Sequence, residues 1–135
     1  MLEYRIEASR TDAAGSVATR GEAVVLMDTS LEGRPDRCNP VELLLASLAA
    51  CMLKGVERAV PILGFQFRAA NVKLHAVRED TPPRLVYIDY ELTIDTDEPD
   101  RRLDLLHRNV IKYGTISNTL GKAVPVEGRI VRGGL

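Results

Sequence analysis

The sequence predicts an α+β domain in which helical segments are interspersed with β-hairpins. Apolar and polar side chains alternate at several places along the chain, which is the two-residue period of a half-buried strand. A nearly uncharged run at residues 39–53 opens with helix-start residues and therefore predicts a long helix. A length of 135 residues suits one compact domain. We therefore expect a single domain over residues 1–135, in the order β-β-α-β-β-α-(α)-β, with antiparallel sheets and a buried central helix.

The first third of the chain predicts a β-hairpin followed by a loop. The alternation at residues 2–9 indicates a first strand, and residues 11–15 are typical of a turn. The apolar run within residues 22–28 indicates a second strand, which we expect to pair with the first. Residues 29–38 contain a glycine, a proline and several charges, so they predict an exposed loop.

The central helix has a clear beginning in the sequence. Asn39 suits the N-cap, Pro40 the first helical position, and Glu42 the position from which a capping-box carboxylate reaches back. The helix is apolar on nearly all sides as far as Leu53, and such helices are usually buried all round. A proline and a glycine within residues 61–64 should end or kink it. Its second half should reach solvent through its charged residues, Lys54, Glu57 and Arg58.

The remaining residues predict a second hairpin, a helix and a last strand. Residues 66–79 and 85–95 alternate on either side of a turn at residues 81–83. Residues 96–113 carry a helical apolar stripe that Gly114 breaks, and one or two further turns should follow. We expect an edge strand near the C-terminus, interrupted by its proline and glycine. The buried side of the first strand of this hairpin should carry Val72, Leu74, Ala76 and, with a bulge, Phe67 and Ala69.

Composition excludes several classes of function. The formal net charge of −1 and an isoelectric point near 6.1 argue against a nucleic-acid partner, which requires a basic surface. No uncharged apolar run reaches ~18 residues and no signal peptide begins the chain, so we expect a cytoplasmic protein without a membrane span. Neither His75 nor His107 has a second ligand at metal-binding spacing, and no cofactor motif is present. We therefore expect neither a metal nor a cofactor.

Two motifs resemble one known family. Residues 39–44 (Asn-Pro-Val-Glu-Leu-Leu) with residues 49–51 (Ala-Ala-Cys) resemble the helix signature of the OsmC/Ohr superfamily. Residues 112–120 (Lys-Tyr-Gly-Thr-Ile-Ser-Asn-Thr-Leu) resemble its second motif, and the element order agrees over nearly the whole chain. The resemblance implies an intertwined homodimer with active sites near the subunit interface. It also implies reduction of organic hydroperoxides by two thiols, regenerated by a lipoylated protein or another dithiol.

The chain departs from that two-thiol pattern. Cys51 occupies the position of the attacking thiol, whereas the position of the resolving thiol falls at Gly114. The glutamate that usually follows Asn-Pro is replaced by Val41, and Glu42 lies ~100° further round the helix. Glu42 is thus a weak catalytic candidate and a better capping residue. The candidates for the family's thiolate-stabilising arginine are Arg20, Arg34 and Arg37, each of which could equally be a solvated loop charge.

The role of Cys51 has two readings. As a nucleophile it must be a thiolate, and in an apolar helix a thiolate needs a nearby cation. As a core residue it would be inert. Cys38 could replace the missing resolving thiol, but ~12 residues of straight helix, or roughly 18 Å, separate the two sulfurs along one chain. Only a second copy could then bring its Cys38 close.

Two functions therefore follow from the sequence. The first is thiol-dependent reduction of small, apolar organic hydroperoxides by a single cysteine, Cys51, with an external thiol or lipoylated reductant as resolver. The second is a catalytically inactive dimer of the same fold that binds a small apolar ligand or a protein partner. Val41 and Gly114, which stand where functional side chains are expected, favour the second; Cys51 in its motif favours the first.

Overall fold

The computed structural model describes all 135 residues. The chain forms two compact units, Met1–Leu44 and Leu45–Leu135, which are described in turn. The expectation of one domain over the whole chain stays a prediction.

The first unit contains a three-stranded antiparallel sheet in the order β1-β2-β3. Its strands are β1 (Glu7–Asp12), β2 (Gly15–Arg20) and β3 (Ala23–Met27). The prediction of a strand at residues 2–9 was wrong in position, because residues 1–6 are exposed and belong to no strand. Strand β2 was missed because its small and polar residues lack a clear alternation. Consequently β3 pairs with β2 and not, as predicted, with the first strand.

Helix α1 (Pro40–Leu63) begins as the sequence predicts. The Asn39 amide donates to Glu42 Oε1 and the Glu42 amide donates to Asn39 Oδ1, each over 2.9 Å, which confirms the capping box. Pro61 lies inside the helix without ending it. The helix ends before Gly64, whose φ of 61° is the left-handed conformation that favours glycine after a helix.

The second unit contains a mixed sheet in the order β4-β5-β6. The hairpin of β4 (Ala69–Asp80) and β5 (Pro83–Asp95) is antiparallel, as predicted. Strand β6 (Val126–Arg132) runs parallel to β5, which corrects the expectation of purely antiparallel sheets. The chain returns through α2 (Asp100–Lys112) and α3 (Thr115–Leu120), and a helical crossover of this kind is what parallel pairing requires.

Strand β6 lies at the sheet edge, as predicted, but Gly128 does not interrupt it. A Cβ at Gly128 would lie 2.5 Å from ring and backbone atoms of Tyr90 on β5. Glycine is therefore needed there because the strand passes close over a tyrosine.

The core of the second unit joins α1, α2 and the sheet. Helix α1 buries only one face in the chain, and small residues on its other face, such as Ala46 and Ala50, are exposed. The prediction of a helix buried on every side is therefore wrong for a single copy. None of the three helices combines the length and the hydrophobicity that a membrane span requires. The core residues include Leu48, Met52 and Val56 of α1, Ile88, Leu92 and Ile94 of β5, and Leu103, Leu106 and Val110 of α2.

Candidate functional site

One face of α1 packs against the end of α2. Cys51, Gly55 and Arg58 are spaced by four and three residues, which places them along one side of the helix. A Cβ at Gly55 would lie 3.3 Å from Cγ1 of Val110, so the missing side chain lets α2 approach α1 closely. This close approach determines where the end of α2 lies relative to the sulfur of Cys51.

Gly114 faces that sulfur directly. A Cβ at Gly114 would lie 3.4 Å from Sγ of Cys51, and the glycine itself is buried. Its φ of −81° and ψ of 115° are open to any residue, so the backbone conformation does not demand glycine. The position where the resemblance expects a second thiol thus lies in contact range of Cys51 and carries no side chain. The interpretation that Gly114 replaces a resolving thiol stays a prediction.

Arg58 lies two turns after Cys51 on the same helix face. Its guanidinium donates to the backbone oxygens of Tyr113, over 3.1 Å, and Asn109, over 3.2 Å. The bond to Tyr113 satisfies a carbonyl that the helix end leaves without an amide donor, whereas the Asn109 carbonyl also accepts the Tyr113 amide. The guanidinium also lies 5.5 Å from the centre of the Tyr113 ring.

The second half of α1 reaches solvent at Lys54 and Glu57, as expected, whereas Arg58 is half-buried and bound to the end of α2. Its charge had suggested an exposed position. The seven-residue spacing from Cys51, which returns to the same side of a helix, was the available signal.

Sequence reasoning did not single out Ser117, which it placed in a helical turn and within the motif at residues 112–120. Its Oγ is buried and has no hydrogen-bond partner within the protein. The same oxygen lies 3.1 Å from the position of a Cβ at Gly114. Buried hydroxyls are nearly always bonded, so this one requires an explanation.

In the first unit, Arg34 is held by other groups of its loop. It forms a two-pronged ion pair with Asp36, at 2.6 and 2.8 Å, and donates to the Ala14 carbonyl over 3.1 Å. The hydrogen bonding that Arg34 donates to the Asp36 carboxylate raises the pKa of Arg34 and lowers the pKa of Asp36. Much of the positive charge of Arg34 is therefore balanced locally.

Arg37 shares a small space with Arg34 but has no such partner. A Cβ at Gly15 would lie 2.6 Å from Nη1 of Arg37 and 3.0 Å from Nη1 of Arg34, so glycine makes room for both guanidinium groups. Arg37 is half-buried and forms neither a hydrogen bond nor an ion pair. Arg20, at the end of β2, is exposed and likewise unpaired.

Asp28 organises the loop that carries these arginines, and sequence reasoning did not single it out. Its carboxylate accepts from the Ser30 hydroxyl and amide and from the Arg34 amide. The Ser30 hydroxyl makes the largest contribution to lowering the pKa of Asp28. The loop is thus held by an ionised carboxylate that accepts three hydrogen bonds.

The other two candidates in the first unit occupy simple surroundings. Cys38 is exposed and free, as expected, and its carbonyl accepts from the Asp28 amide over 2.9 Å. The carboxylate of Glu42 accepts the Asn39 amide in the capping box. No group of three or more His, Cys, Asp or Glu side chains is placed to hold a metal ion.

Solved structures with the same fold cover almost the whole chain. An OsmC-like protein from Mycoplasma pneumoniae superposes with a TM-score of 0.90 at 17% identity, over 98% of this chain and 99% of the other. An organic hydroperoxide resistance protein OsmC from Legionella pneumophila gives a TM-score of 0.75 at 17% identity, over 96% and 97%. The organic hydroperoxide resistance protein OhrB of Bacillus subtilis gives 0.70 at 12% identity, over 96% and 98%.

Because these identities are low, the superpositions show only that the fold is the same. No curated protein sequence matches the chain significantly. The profile of the OsmC-like protein family, however, matches residues 33–128, which include Cys51, Gly114 and Ser117. With an α+β fold of two sheets and three helices, the chain belongs to the OsmC-like protein family.

Proposed function

We propose that this protein reduces small organic hydroperoxides with Cys51 as its only reacting thiol. The observation that carries the proposal is the free thiol of Cys51 facing a buried glycine, Gly114, in the chain's copy of the family motif. Two of the structural relatives are named as organic hydroperoxide resistance proteins, which supports this choice of substrate. We place the protein in a reducing compartment such as the cytoplasm, where both cysteines would stay as thiols.

The proposed reaction needs one external reductant. The Cys51 thiolate attacks the terminal oxygen of the hydroperoxide, the S–O bond forms, and the O–O bond breaks. The electron pair leaves on the alkoxide, which takes a proton and departs as an alcohol. Cys51 is then a sulfenic acid. A small dithiol condenses with it, releasing water, and its second thiol displaces Cys51 as a thiol.

Arg37 is our candidate for the cation that keeps Cys51 as a thiolate. Unlike Arg34, it forms no direct ion pair, although its charge also contributes to lowering the pKa of the nearby Asp36 carboxylate. We expect Arg37→Gln to slow alkylation of Cys51 at pH 7 by about tenfold, a loss of about 1.4 kcal/mol. Arg34→Gln should slow it less, and Arg20→Gln not at all. Equal rates in all three variants would remove Arg37 from the mechanism.

The homodimer expected from the sequence belongs to the same proposal. Leu2, Tyr4 and Ile6 are between 70% and 83% exposed, and β3 exposes Val24 and Leu26 by 59% and 55%. Single soluble chains rarely expose so many large apolar side chains in short segments. A second copy of the chain would cover them together with the exposed face of α1. Sedimentation at micromolar concentration should give twice the mass of one chain, and a stable monomer would contradict this part.

Peroxide consumption tests the proposed activity. Wild type, Cys51→Ser and Cys38→Ser are assayed with cumene hydroperoxide and excess dihydrolipoamide, and the oxidised reductant is measured. We expect turnover in wild type and in Cys38→Ser, but none in Cys51→Ser. A monothiol such as glutathione in place of dihydrolipoamide shows which class of thiol resolves the sulfenic acid. Equal background rates in all three proteins would favour the inactive, ligand-binding alternative.

A further inference from the structure

An open surface groove of about 590 Å³ lies between α2 and β6. Its floor is the side chain of Tyr90, whose ring occupies the space that a side chain at Gly128 would need. Its apolar walls are Ile111 of α2 and Val126 of β6. Cavities of this size are typical of small-ligand sites. The groove is not lined by Cys51, so the proposed function leaves it unexplained.

A hydrogen bond at the floor of the groove determines the tautomer of His107. The Tyr90 hydroxyl lies 2.6 Å from Nε2 of His107. Burial raises the pKa of Tyr90 to about 12 and lowers the pKa of His107, so both side chains are neutral at pH 7. Since the Tyr90 hydroxyl has no other acceptor, it donates to Nε2, and the imidazole proton is on Nδ1. Nδ1 forms no hydrogen bond within the protein, so His107 keeps one N–H donor unused.

Two cations of α2 line the groove without carboxylate partners. Arg108 and Lys112 lie one helical turn apart on the same side of the helix. Arg108 donates only from Nε, over 3.4 Å to the Asp104 carbonyl, so both terminal nitrogens of its guanidinium are free. The Nζ of Lys112 lies 5.3 Å from the centre of the Tyr113 ring and forms no ion pair. The helix dipole favours a cation at Lys112 but acts little on Arg108, and like charges at this spacing repel.

The nearby carboxylates do not neutralise these cations. Glu127 belongs to β6, but its carboxylate accepts from the Tyr87 hydroxyl, over 3.4 Å, on the other face of the sheet. Asp104, one turn before Arg108, forms no ion pair with it. The groove therefore combines a positive rim with apolar walls and an aromatic floor.

We propose that this groove binds a small organic anion, a carboxylate that carries a flat apolar body. The carboxylate accepts from the terminal nitrogens of Arg108, whose planar fork matches it, and from Nζ of Lys112. The Nδ1 proton of His107 is a further donor. The apolar body packs between the walls and against the aromatic floor. The rim repels cations, and a nucleic acid requires a larger basic surface. This inference goes beyond the proposed function and does not depend on it.

Binding of 2-naphthoate to the full chain, measured by isothermal titration calorimetry, tests this inference. Arg108→Gln and Lys112→Gln should each weaken binding by about tenfold, and the double variant should show no measurable binding. The neutral analogue 2-naphthamide should bind wild type at least about tenfold more weakly. The matched controls, Arg101→Gln and Lys122→Gln, change exposed cations that do not line the groove and should keep the wild-type affinity. All four positions are exposed, so the variants should fold.

Amide chemical shifts locate the site. We expect 2-naphthoate to shift residues 107–112 and 126–128, and Cys51→Ser to bind it as wild type does. Wild-type affinity in the double variant, equally tight binding of 2-naphthamide, or shifts confined to other residues would overturn the inference. Displacement of 2-naphthoate by an equal concentration of inorganic phosphate would also overturn it, because the apolar body would then contribute nothing. Since no readout involves peroxide, this inference and the proposed function can fail separately.

Discussion

The two sheets have the same number of strands and very different burial. In the second unit β5 buries Ile88, Leu92 and Ile94 completely, with α1 and α2 in the same core. In the first unit β3 exposes Val24 and Leu26 by more than half. Strand number therefore says little about stability. The difference shows that the core and Cys51 belong to a well-packed unit, whereas the candidate arginines lie in a unit with few buried side chains.

This comparison separates two kinds of mutational effect. Substitutions around Cys51 in the second unit should lower the free energy of unfolding as well as the rate of the peroxide reaction, because the residues around Cys51 lie where α1 packs against α2. Changes of Arg34 or Arg37 in the first unit should affect chemistry with little loss of stability. The predictions below test the contrast in order of expected size.

The largest contrast is between core and sheet surface. Leu106→Ala removes a completely buried side chain from α2 and should lower the free energy of unfolding by about 2 to 5 kcal/mol. In a single chain, Val24→Ala on β3 should cost less than about 1 kcal/mol, because this side chain is 59% exposed there. Urea unfolding measures both. A loss at Val24 as large as at Leu106 would mean that a second copy of the chain buries Val24 in solution, and would abolish the contrast between the two sheets.

The next effect concerns the approach of α2 to α1. Gly55→Val places methyl groups where a Cβ alone would already be 3.3 Å from Val110, and should destabilise by about 1 to 3 kcal/mol. It should also shift Gly114 away from Cys51 and slow peroxide oxidation. Gly134→Val, at a glycine with open space around it, is the control. If the two variants unfold at the same temperature, α2 does not pack closely against α1 at Gly55.

A smaller effect is expected from the contact between Arg58 and the end of α2. Arg58→Met keeps much of the apolar stem but removes the bonds to Tyr113 and Asn109, at a cost of about 1 to 2 kcal/mol. Amide hydrogen exchange should become faster at residues 113–118, next to Cys51. Lys54→Met, at an exposed position of the same helix, serves as the comparison. Unchanged exchange in Arg58→Met would show that this arginine does not order the segment.

The smallest effect is a pH dependence within the second unit. Burial lowers the pKa of His107, which is hydrogen-bonded to Tyr90, below its ordinary 6.5, although the Asp104 carboxylate opposes the shift. The unfolded chain then binds the proton more tightly, so stability is complete above pH 6.5 and declines as the pH falls below it. His107→Gln should flatten this decline, and the exposed His75→Gln should keep it. Urea midpoints between pH 5 and 7 that decline equally in wild type and His107→Gln would contradict it.

Local patterns in the sequence predicted much of the fold. The capping box of Asn39 and Glu42, the β4-β5 hairpin and the stripe of α2 depend on residues near one another in the chain. Strand β2 and the parallel pairing of β6 depend on distant partners, so periodicity could not reveal them. The burial of α1 was overestimated because an apolar sequence does not say how much of it one chain can cover.

Only part of the candidate site could be predicted from the sequence. Cys51 and Gly114 were paired by a motif resemblance, and their contact follows from the close packing of α1 and α2. Ser117 and Arg58 could not be recognised, because a buried unbonded hydroxyl and a capped helix end exist only once the helices are packed. Likewise, the ion pair that distinguishes Arg34 from Arg37 arises from loop geometry and not from residue type.

The most direct test of the account is mass spectrometry after peroxide treatment, on a Cys38→Ser background. The account predicts that Cys51 gains one oxygen when Gly114 is present. In Gly114→Cys it should form an internal disulfide and lose two hydrogens, since a Cβ at 3.4 Å from Sγ needs little movement to reach disulfide geometry. A Cys51 that remains unmodified in both proteins, while alkylation shows it to be accessible, would contradict the account.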